Sequence, residues 1–210
     1  MIDRQAVGRE ASWAGAGILP PGSWYSSHTA LDDLATLSGE LNRRWSTELL
    51  ELTGIDNEFQ LCGGTYLPAT SDESAALEAI FNRWGGRGIG VERVDSARLT
   101  ELEPTLNELP HQLAHVFGGY HIPQEGQLRN PRHMAALVAG CMKRGVHVAA
   151  PGQVESLRMR GDSIAQVETD QGPIACRHVV LTAGAWSSEI AELWGFRLPV
   201  RPVRGQVILF

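Results

Sequence analysis

The most regular hydrophobic pattern of the chain lies in the stretch HTALDDLATLSGELNRRWSTELLELTG, which ends at Gly54. Apolar residues recur there at spacings of three and four, the period of an amphipathic α-helix. The repeated positions are Leu31, Leu34, Leu37, Leu41, Trp45, Leu49 and Leu52. Gly54 is a typical stop signal after the last of them. The pattern therefore predicts one long helix, and Ser38-Gly39 leaves open a break within it.

Three further stretches have helix signals. NPRHMAALVAGCMKRG begins with Asn130 as a cap and Pro131 at the first helical position, and it ends at Gly145. In SDESAALEAIFNRWG, Ser71 precedes an apolar stripe and predicts the start of a second helix. DSARLTELEPTL predicts a short helix that ends before Pro104.

The strand signals are concentrated after residue 145. VHVAAPGQVESLRMRGDSIAQVETDQGPIACRHVVLTAGAW contains short β-rich runs separated by RGDS and DQGP, which predict the turns of a meander. Its last run, HVVLTAG, is continuously apolar, as is typical of a strand covered on both faces of a parallel sheet. FQLCGGTYLPA is also β-rich, and GGYHIPQEGQLRN predicts an extended segment with a turn. The whole pattern predicts a mixed α/β protein.

Charge and cysteine content exclude several classes of protein. The chain has 18 basic and 24 acidic residues, a net charge of −6, and no concentrated basic run, so nucleic acid is not an expected partner. No run approaches the roughly 20 apolar residues of a membrane span, and the start lacks the features of a signal peptide. Cys62, Cys141 and Cys176 are far apart, so we interpret them as buried thiols in a reducing compartment. A cytoplasmic protein is therefore predicted.

Two positions favour ligand binding. The opening letters IDR place Asp3 at the end of an apolar strand, where an acidic residue of a dinucleotide-binding unit binds the ribose hydroxyls. In VVLTAGAWSSEI, Ala183 and Gly184 separate a predicted strand from a helix, and small residues there let a ligand approach the backbone. An ordinary strand–helix turn remains the alternative for the second position.

A metal site is not predicted. His111 and His115 in HQLAH have a four-residue spacing that is compatible with metal ligation, but the sequence places no third ligand. A surface or packing role is the favoured interpretation.

These stretches together resemble the D-amino-acid oxidase family of flavoproteins, and within it the glycine oxidase branch. The resemblance covers almost the whole chain and is carried by IDR, SWAGAGIL, GGTYLPA, EGQLRNPRHMAALVAGCMKRG, VVLTAGAWSSEI and LPVRPVRGQVILF. It implies an α/β fold: an incomplete, Rossmann-like FAD-binding domain of the glutathione-reductase type, with part of an α+β substrate domain built on an antiparallel sheet. The implied ranges are 1–57 and 126–197 for the FAD-binding domain, 58–125 for the substrate domain, and 198–210 for the start of a substrate-domain strand.

The resemblance also implies FAD as the cofactor. Asp3 would hold the adenosine ribose with Arg4 beside it, Val154 would contact the adenine through its backbone, and Ala183-Gly184 would form a turn near the cofactor. The loop after Asp3 would surround the phosphate and ribityl groups, with contacts from Ala11, Ser12, Ala16, Gly17 and Ile18. Gly15 and Gly17 would leave room for the cofactor, and Ser12 could donate to a phosphate. The catalytic residues are expected beyond Phe210.

The implied activity is oxidation of the C–N bond of glycine, sarcosine or a small D-amino acid to an imine, with dioxygen converted to hydrogen peroxide. Relatives of this branch supply a precursor for the thiazole of thiamine. The alternative is a non-catalytic, truncated or degenerate flavoprotein, and the chain alone is expected to be inactive. Because Asp3 ends a strand, we expect a strand, a G-x-G-x-x-G loop and a helix to be encoded upstream. The acidic charge disfavours a domain that acts on transfer RNA, and a homo-oligomer is left open.

Overall fold

The computed structural model describes residues 1–22, 30–105 and 118–206. The chain divides into two compact units. The inserted unit is Gly17–Arg129, and the discontinuous unit combines Met1–Ala16 with Asn130–Phe210. The division into two compact units does not test the predicted ranges of the FAD-binding and substrate domains, so those ranges stay a prediction.

The described part of the inserted unit contains antiparallel sheets and helices. Its elements are β1 (Ile18–Leu19), α1 (Ala30–Thr53), β2 (Gly64–Tyr66), α2 (Ser71–Gly86), β3 (Glu92–Val94), α3 (Ser96–Leu102), β4 (Gly119–Ile122) and β5 (Gly126–Gln127). Strand β4 lies between β2 and β3, and β1 pairs with β5. All of these pairings are antiparallel, as predicted for the sheet of the substrate domain.

An aromatic cluster forms the core of the inserted unit. Phe81 and Trp84 on α2 are buried and meet edge-on, with ring centroids 5.3 Å apart. The ring centroids of Phe81 and of Tyr120 on β4 are 4.7 Å apart. Helix α2 begins at Ser71 as predicted, and the residue before it, Thr70, is the N-cap, whose side chain accepts a hydrogen bond from the Glu73 amide. Apolar burial against the sheet therefore determines which face of α2 points inward.

Helix α1 is continuous through Ser38-Gly39, so the possible break there does not occur. The predicted apolar stripe is correct in its helical period, but Leu49 is its only buried member. Leu34 is 60% exposed and Leu37 is 50% exposed. Ser46 is also buried, and its hydroxyl accepts a hydrogen bond from the buried Asn57 amide. A polar contact thus replaces part of the expected leucine packing.

The discontinuous unit contains α4 (Asn130–Lys143), β6 (Val154–Arg160), β7 (Ser163–Thr169), β8 (Ile174–Ala175), a 3-10 turn (Gly184–Trp186) and α5 (Ser187–Leu193). Strands β6, β7 and β8 form the predicted antiparallel meander. Helix α4 begins at Asn130, one residue before the predicted first helical position Pro131, and Gly145 follows its end with a φ of 81°, the left-handed conformation expected of a glycine at this position.

Two predictions about this sequence are wrong. Residues 178–183 of HVVLTAG form no strand, and Val180 is 82% exposed, because no described strand pairs with this segment. None of the three cysteines is buried as predicted, since Cys62 is exposed and Cys141 and Cys176 are half-buried, although all three are free thiols as expected. Among the described helices, none is long and apolar enough to cross a membrane.

Candidate functional site

The predicted nucleotide-binding residues Asp3 and Val154 lie on connected backbone in the discontinuous unit. Ile2 forms a parallel bridge with Ala149, and the Asp3 amide donates to the Ala149 carbonyl at 3.1 Å. The Gly152 amide donates in turn to the Asp3 carbonyl at 2.8 Å. Because Val154 begins β6 only two residues later, the structure brings Asp3 next to the start of the meander.

The Asp3 side chain is partly exposed and oriented by its own loop. Its Oδ1 atom accepts a hydrogen bond from the Gln5 amide at 3.0 Å. Within residues 1–22, 30–105 and 118–206, its Oδ2 atom accepts none. One carboxylate oxygen therefore holds the side chain in place, while the other is available to a hydroxyl donor such as a ribose.

Arg4 connects the segment at Asp3 to the turn at Ala183-Gly184. The Arg4 guanidinium lies over the Trp186 ring, 4.3 Å from its centroid. The Trp186 amide donates to the Ala183 carbonyl at 3.0 Å, which closes the turn. Gly184 has a φ of 54°, and apart from its chain neighbours no atom of the described residues lies within 4 Å of the position that a Cβ would take. The backbone at this turn is thus open to close approach by a ligand.

The loop after Asp3 is attached to the start of α4. The Asn130 amide donates to the Ser12 carbonyl at 2.9 Å, and the Asn130 side chain occupies the space where a Cβ of Gly15 would lie. The expectation that Gly15 leaves room for a cofactor is therefore corrected: Gly15 leaves room for Asn130. Ala11, Ser12 and Ala16 are exposed in this loop.

Gly17 and Ile18 belong to the inserted unit. Gly17 has a φ of 81°, and its carbonyl accepts from the Leu128 amide at 3.0 Å. Ile18 pairs with Gln127 in the β1–β5 ladder and is 59% exposed. The structure therefore distributes the ten predicted cofactor residues over two units, eight in the discontinuous unit and these two in the inserted unit.

The predicted surface or packing role of His111 and His115 lies outside the described residues. In the described ranges, no group of three or more histidine, cysteine or acidic side chains is placed to hold a metal ion.

Sequence reasoning missed a buried carboxylate in the inserted unit. Glu125 is 7% exposed, and the Tyr66 hydroxyl donates to its Oε2 atom. Its carboxylate occupies the space that a Cβ at Gly64 would need. Burial, together with the Glu125 carboxylate, raises the pKa of Tyr66 above its ordinary value. The paired glycines in GGTY are the signal that could have indicated a side chain packed against this strand.

The whole chain, residues 1–210, matches the family described as FAD dependent oxidoreductase, and it therefore belongs to that family. This confirms the predicted family, and its members depend on FAD. The chain is 31% identical over 212 residues to a glycine oxidase of Pseudomonas putida, an alignment that covers 100% of this chain and 55% of that protein.

Solved structures agree with this result. A crystal structure of glycine oxidase from Geobacillus kaustophilus has a TM-score of 0.86 at 29% identity and covers 96% of this chain and 52% of that one. L-proline dehydrogenase from P. horikoshii has the same fold, with a TM-score of 0.75 at 15% identity and coverage of 92% and 48%. The predicted α/β fold class is confirmed, and the chain spans about half the length of the relatives it matches.

Proposed function

We propose that the complete protein containing these residues oxidises the C–N bond of a small amino acid to an imine, with FAD as cofactor and dioxygen as the final oxidant. The observation that carries the proposal is the family match over residues 1–210, together with similarity to glycine oxidases along the whole chain. Glycine, sarcosine and small D-amino acids are the proposed substrates. Similarity to the bifunctional protein ThiO/ThiG of Nostoc supports a role in thiamine biosynthesis.

The discontinuous unit supplies groups that suit the adenosine part of FAD. Asp3 offers one carboxylate oxygen to the ribose, and Arg4 brings a positive charge beside it. Val154 is proposed to meet the adenine through its backbone, and Ala183-Gly184 leaves the backbone open to the cofactor. The exposed loop residues Ala11, Ser12 and Ala16, with Gly17 and Ile18 of the inserted unit, are proposed to contact its phosphate and ribityl groups.

These residues bind and orient the cofactor. FAD, when bound, supplies the two-electron oxidation that amino-acid side chains cannot perform. A carboxylate paired with ribose hydroxyls holds the adenosine end at a defined position, and this in turn limits where the flavin ring can lie. The cytoplasmic location and the domain ranges 1–57, 58–125, 126–197 and 198–210 remain part of this proposal.

Anaerobic reduction tests the activity directly. The complete protein is saturated with FAD and mixed with glycine, sarcosine or D-alanine, with L-alanine as the control. We expect at least one of the first three to bleach the yellow flavin, and peroxide to form when air is admitted. If FAD binds but no amine bleaches it, the non-catalytic alternative replaces the oxidase.

The cofactor assignment is tested by Asp3→Ala in the same protein. Loss of a charge-assisted hydrogen bond to the ribose should weaken FAD binding by about 10- to 100-fold, measured by flavin fluorescence titration. The matched control is Asp162→Ala, which removes an exposed carboxylate from the β6–β7 turn and should leave the dissociation constant unchanged. Equal FAD affinity in both variants would remove Asp3 from the site.

A further inference from the structure

We infer that Trp186 is a positioning residue for the cofactor: its indole ring holds the Arg4 guanidinium where the charge faces the adenosine diphosphate part of FAD. The inference rests on the proposed function. The inference adds Trp186, a residue that the sequence did not assign to the site. It also adds the contact between Trp186 and Arg4, which joins two parts of the site that are separate in sequence.

The contact itself has the geometry of a cation–π interaction. The guanidinium carbon of Arg4 lies 4.3 Å from the centroid of the Trp186 ring, inside the roughly 6 Å range of such contacts. Within the described residues, the N–H groups of the Arg4 guanidinium make no hydrogen bond. Those N–H groups can still donate to phosphate or ribose oxygens. The contact with Trp186 therefore orients Arg4 without using its donors.

The charge of Arg4 is not neutralised within the described structure. Among residues 1–22, 30–105 and 118–206, no carboxylate lies within ion-pair distance of its guanidinium. Its neighbour Asp3 is hydrogen-bonded to Gln5 instead. An oriented cation without an ion-pair partner, next to a carboxylate with a vacant acceptor atom, suits a ligand with both hydroxyl and anionic groups. The adenosine diphosphate portion of FAD has both.

Backbone hydrogen bonds anchor Trp186 and Asp3, the residue before Arg4. The backbone of Asp3 is bonded to Ala149 on one side and to Gly152 on the other. Trp186 closes its turn by donating to Ala183. Movement of the Trp186 ring would therefore release Arg4 but would leave the Asp3 backbone in place. This predicts that Trp186 acts on FAD binding through Arg4 and not independently of it.

A double-mutant cycle in the complete protein tests this prediction. We expect Arg4→Gln to weaken FAD binding about tenfold and Trp186→Leu about two- to fivefold. The double variant should bind FAD no more weakly than Arg4→Gln alone, because Trp186 has no effect once the guanidinium is gone. Trp186→Phe keeps an aromatic face and should restore most of the affinity. Trp45→Leu, at a 37% exposed tryptophan of the inserted unit, is the matched control.

Binding of riboflavin separates positioning from a general structural effect. Riboflavin lacks the whole adenosine diphosphate portion, so its affinity should be the same in all variants. If Trp186 only supports the fold, Trp186→Leu should weaken riboflavin and FAD equally, and its effect should add to that of Arg4→Gln. Either result would overturn the inference while the oxidase proposal stands. Failure of the unaltered complete protein to bind FAD would overturn both.

Discussion

The two units of the chain differ in what they bury. The inserted unit has a core of large side chains, and Phe81, Trp84, Tyr120 and Ile122 are at most 6% exposed. In the described part of the discontinuous unit, the buried apolar residues are small: Ala136, Val167 and Ala191. Since apolar burial is the main favourable term in folding, the inserted unit has the larger internal source of stability.

The candidate cofactor residues lie mostly in the unit with the smaller core. Asp3, Arg4, Val154 and Gly184 all belong to the discontinuous unit. A ligand that binds only the folded form adds its binding free energy to stability. Cofactor binding is therefore expected to matter more to the stability of this unit than to that of the inserted unit. Substitutions in the two cores test the underlying difference.

The largest effect is expected for Trp84→Ala. Trp84 is fully buried, and removal of its ring should lower the free energy of unfolding of the inserted unit by about 3–5 kcal/mol. Hydrogen exchange resolved by segment, in increasing urea, measures each unit separately. Trp45→Ala is the control because Trp45 is 37% exposed, and it should cost much less. Equal losses for both tryptophans would show that the aromatic cluster is not the main source of stability.

A smaller effect is expected for Val167→Ala in the discontinuous unit. Val167 is 4% exposed, and the loss of two methyl groups with partial collapse of the cavity should cost about 1.5–2.5 kcal/mol. The same exchange measurement over β6 and β7 reports the result. Val180→Ala, at a residue that is 82% exposed, should change it little. A loss as large as that of Trp84→Ala would contradict the difference between the two cores.

The smallest effect at neutral pH is expected for Tyr66→Phe. This change removes the donor to the buried Glu125 carboxylate and should cost about 1–2 kcal/mol. Urea unfolding of the inserted unit at pH 7 measures it. Glu125→Gln in the Tyr66→Phe background is the control, because it removes the charge that the first change leaves without its partner. If this second change gives no recovery, the pair contributes little.

Tyr66→Phe should also change how the stability of the inserted unit depends on pH. Burial and the Glu125 carboxylate raise the pKa of Tyr66 above its ordinary value of 10.0, so the folded form keeps a proton that the unfolded chain loses. Stability should therefore fall as the pH rises above about 10, by at most about 1.4 kcal/mol per pH unit for this group. Tyr66→Phe should lack this part of the decline. An identical alkaline slope in both proteins would exclude a contribution from Tyr66.

Local signals predicted the ends of helices well. Asn130 and Pro131 at the start of α4, and Gly145 after it, act on neighbouring backbone, so their effect can be inferred from sequence alone. The orientation of α1 could not be inferred in this way. Its period identifies a helix, but its inward face depends on the bond between Ser46 and Asn57, which is a tertiary contact.

Contacts between distant residues account for the rest of what the sequence did not predict. Asp3 could be proposed as a ribose contact because an acidic residue after an apolar start is a local pattern, whereas the contact of Arg4 with the Trp186 ring appears only after folding. The apolar run HVVLTAG is the opposite case, in which a local pattern predicted a strand that the structure does not form. Hydrophobicity predicts a buried strand, but a strand also needs a hydrogen-bonded neighbour, and the described residues provide none for it.

The contact between Asn130 and the loop at Gly15 has an evolutionary consequence. The Asn130 amide occupies the space that any side chain at position 15 would need, and it also holds the Ser12 carbonyl. An alanine at position 15 would therefore have to move the end of the Asn130 side chain away from the Ser12 carbonyl. Among close relatives, an alanine at position 15 should occur together with a shorter residue at position 130, so that the two sites covary as a pair.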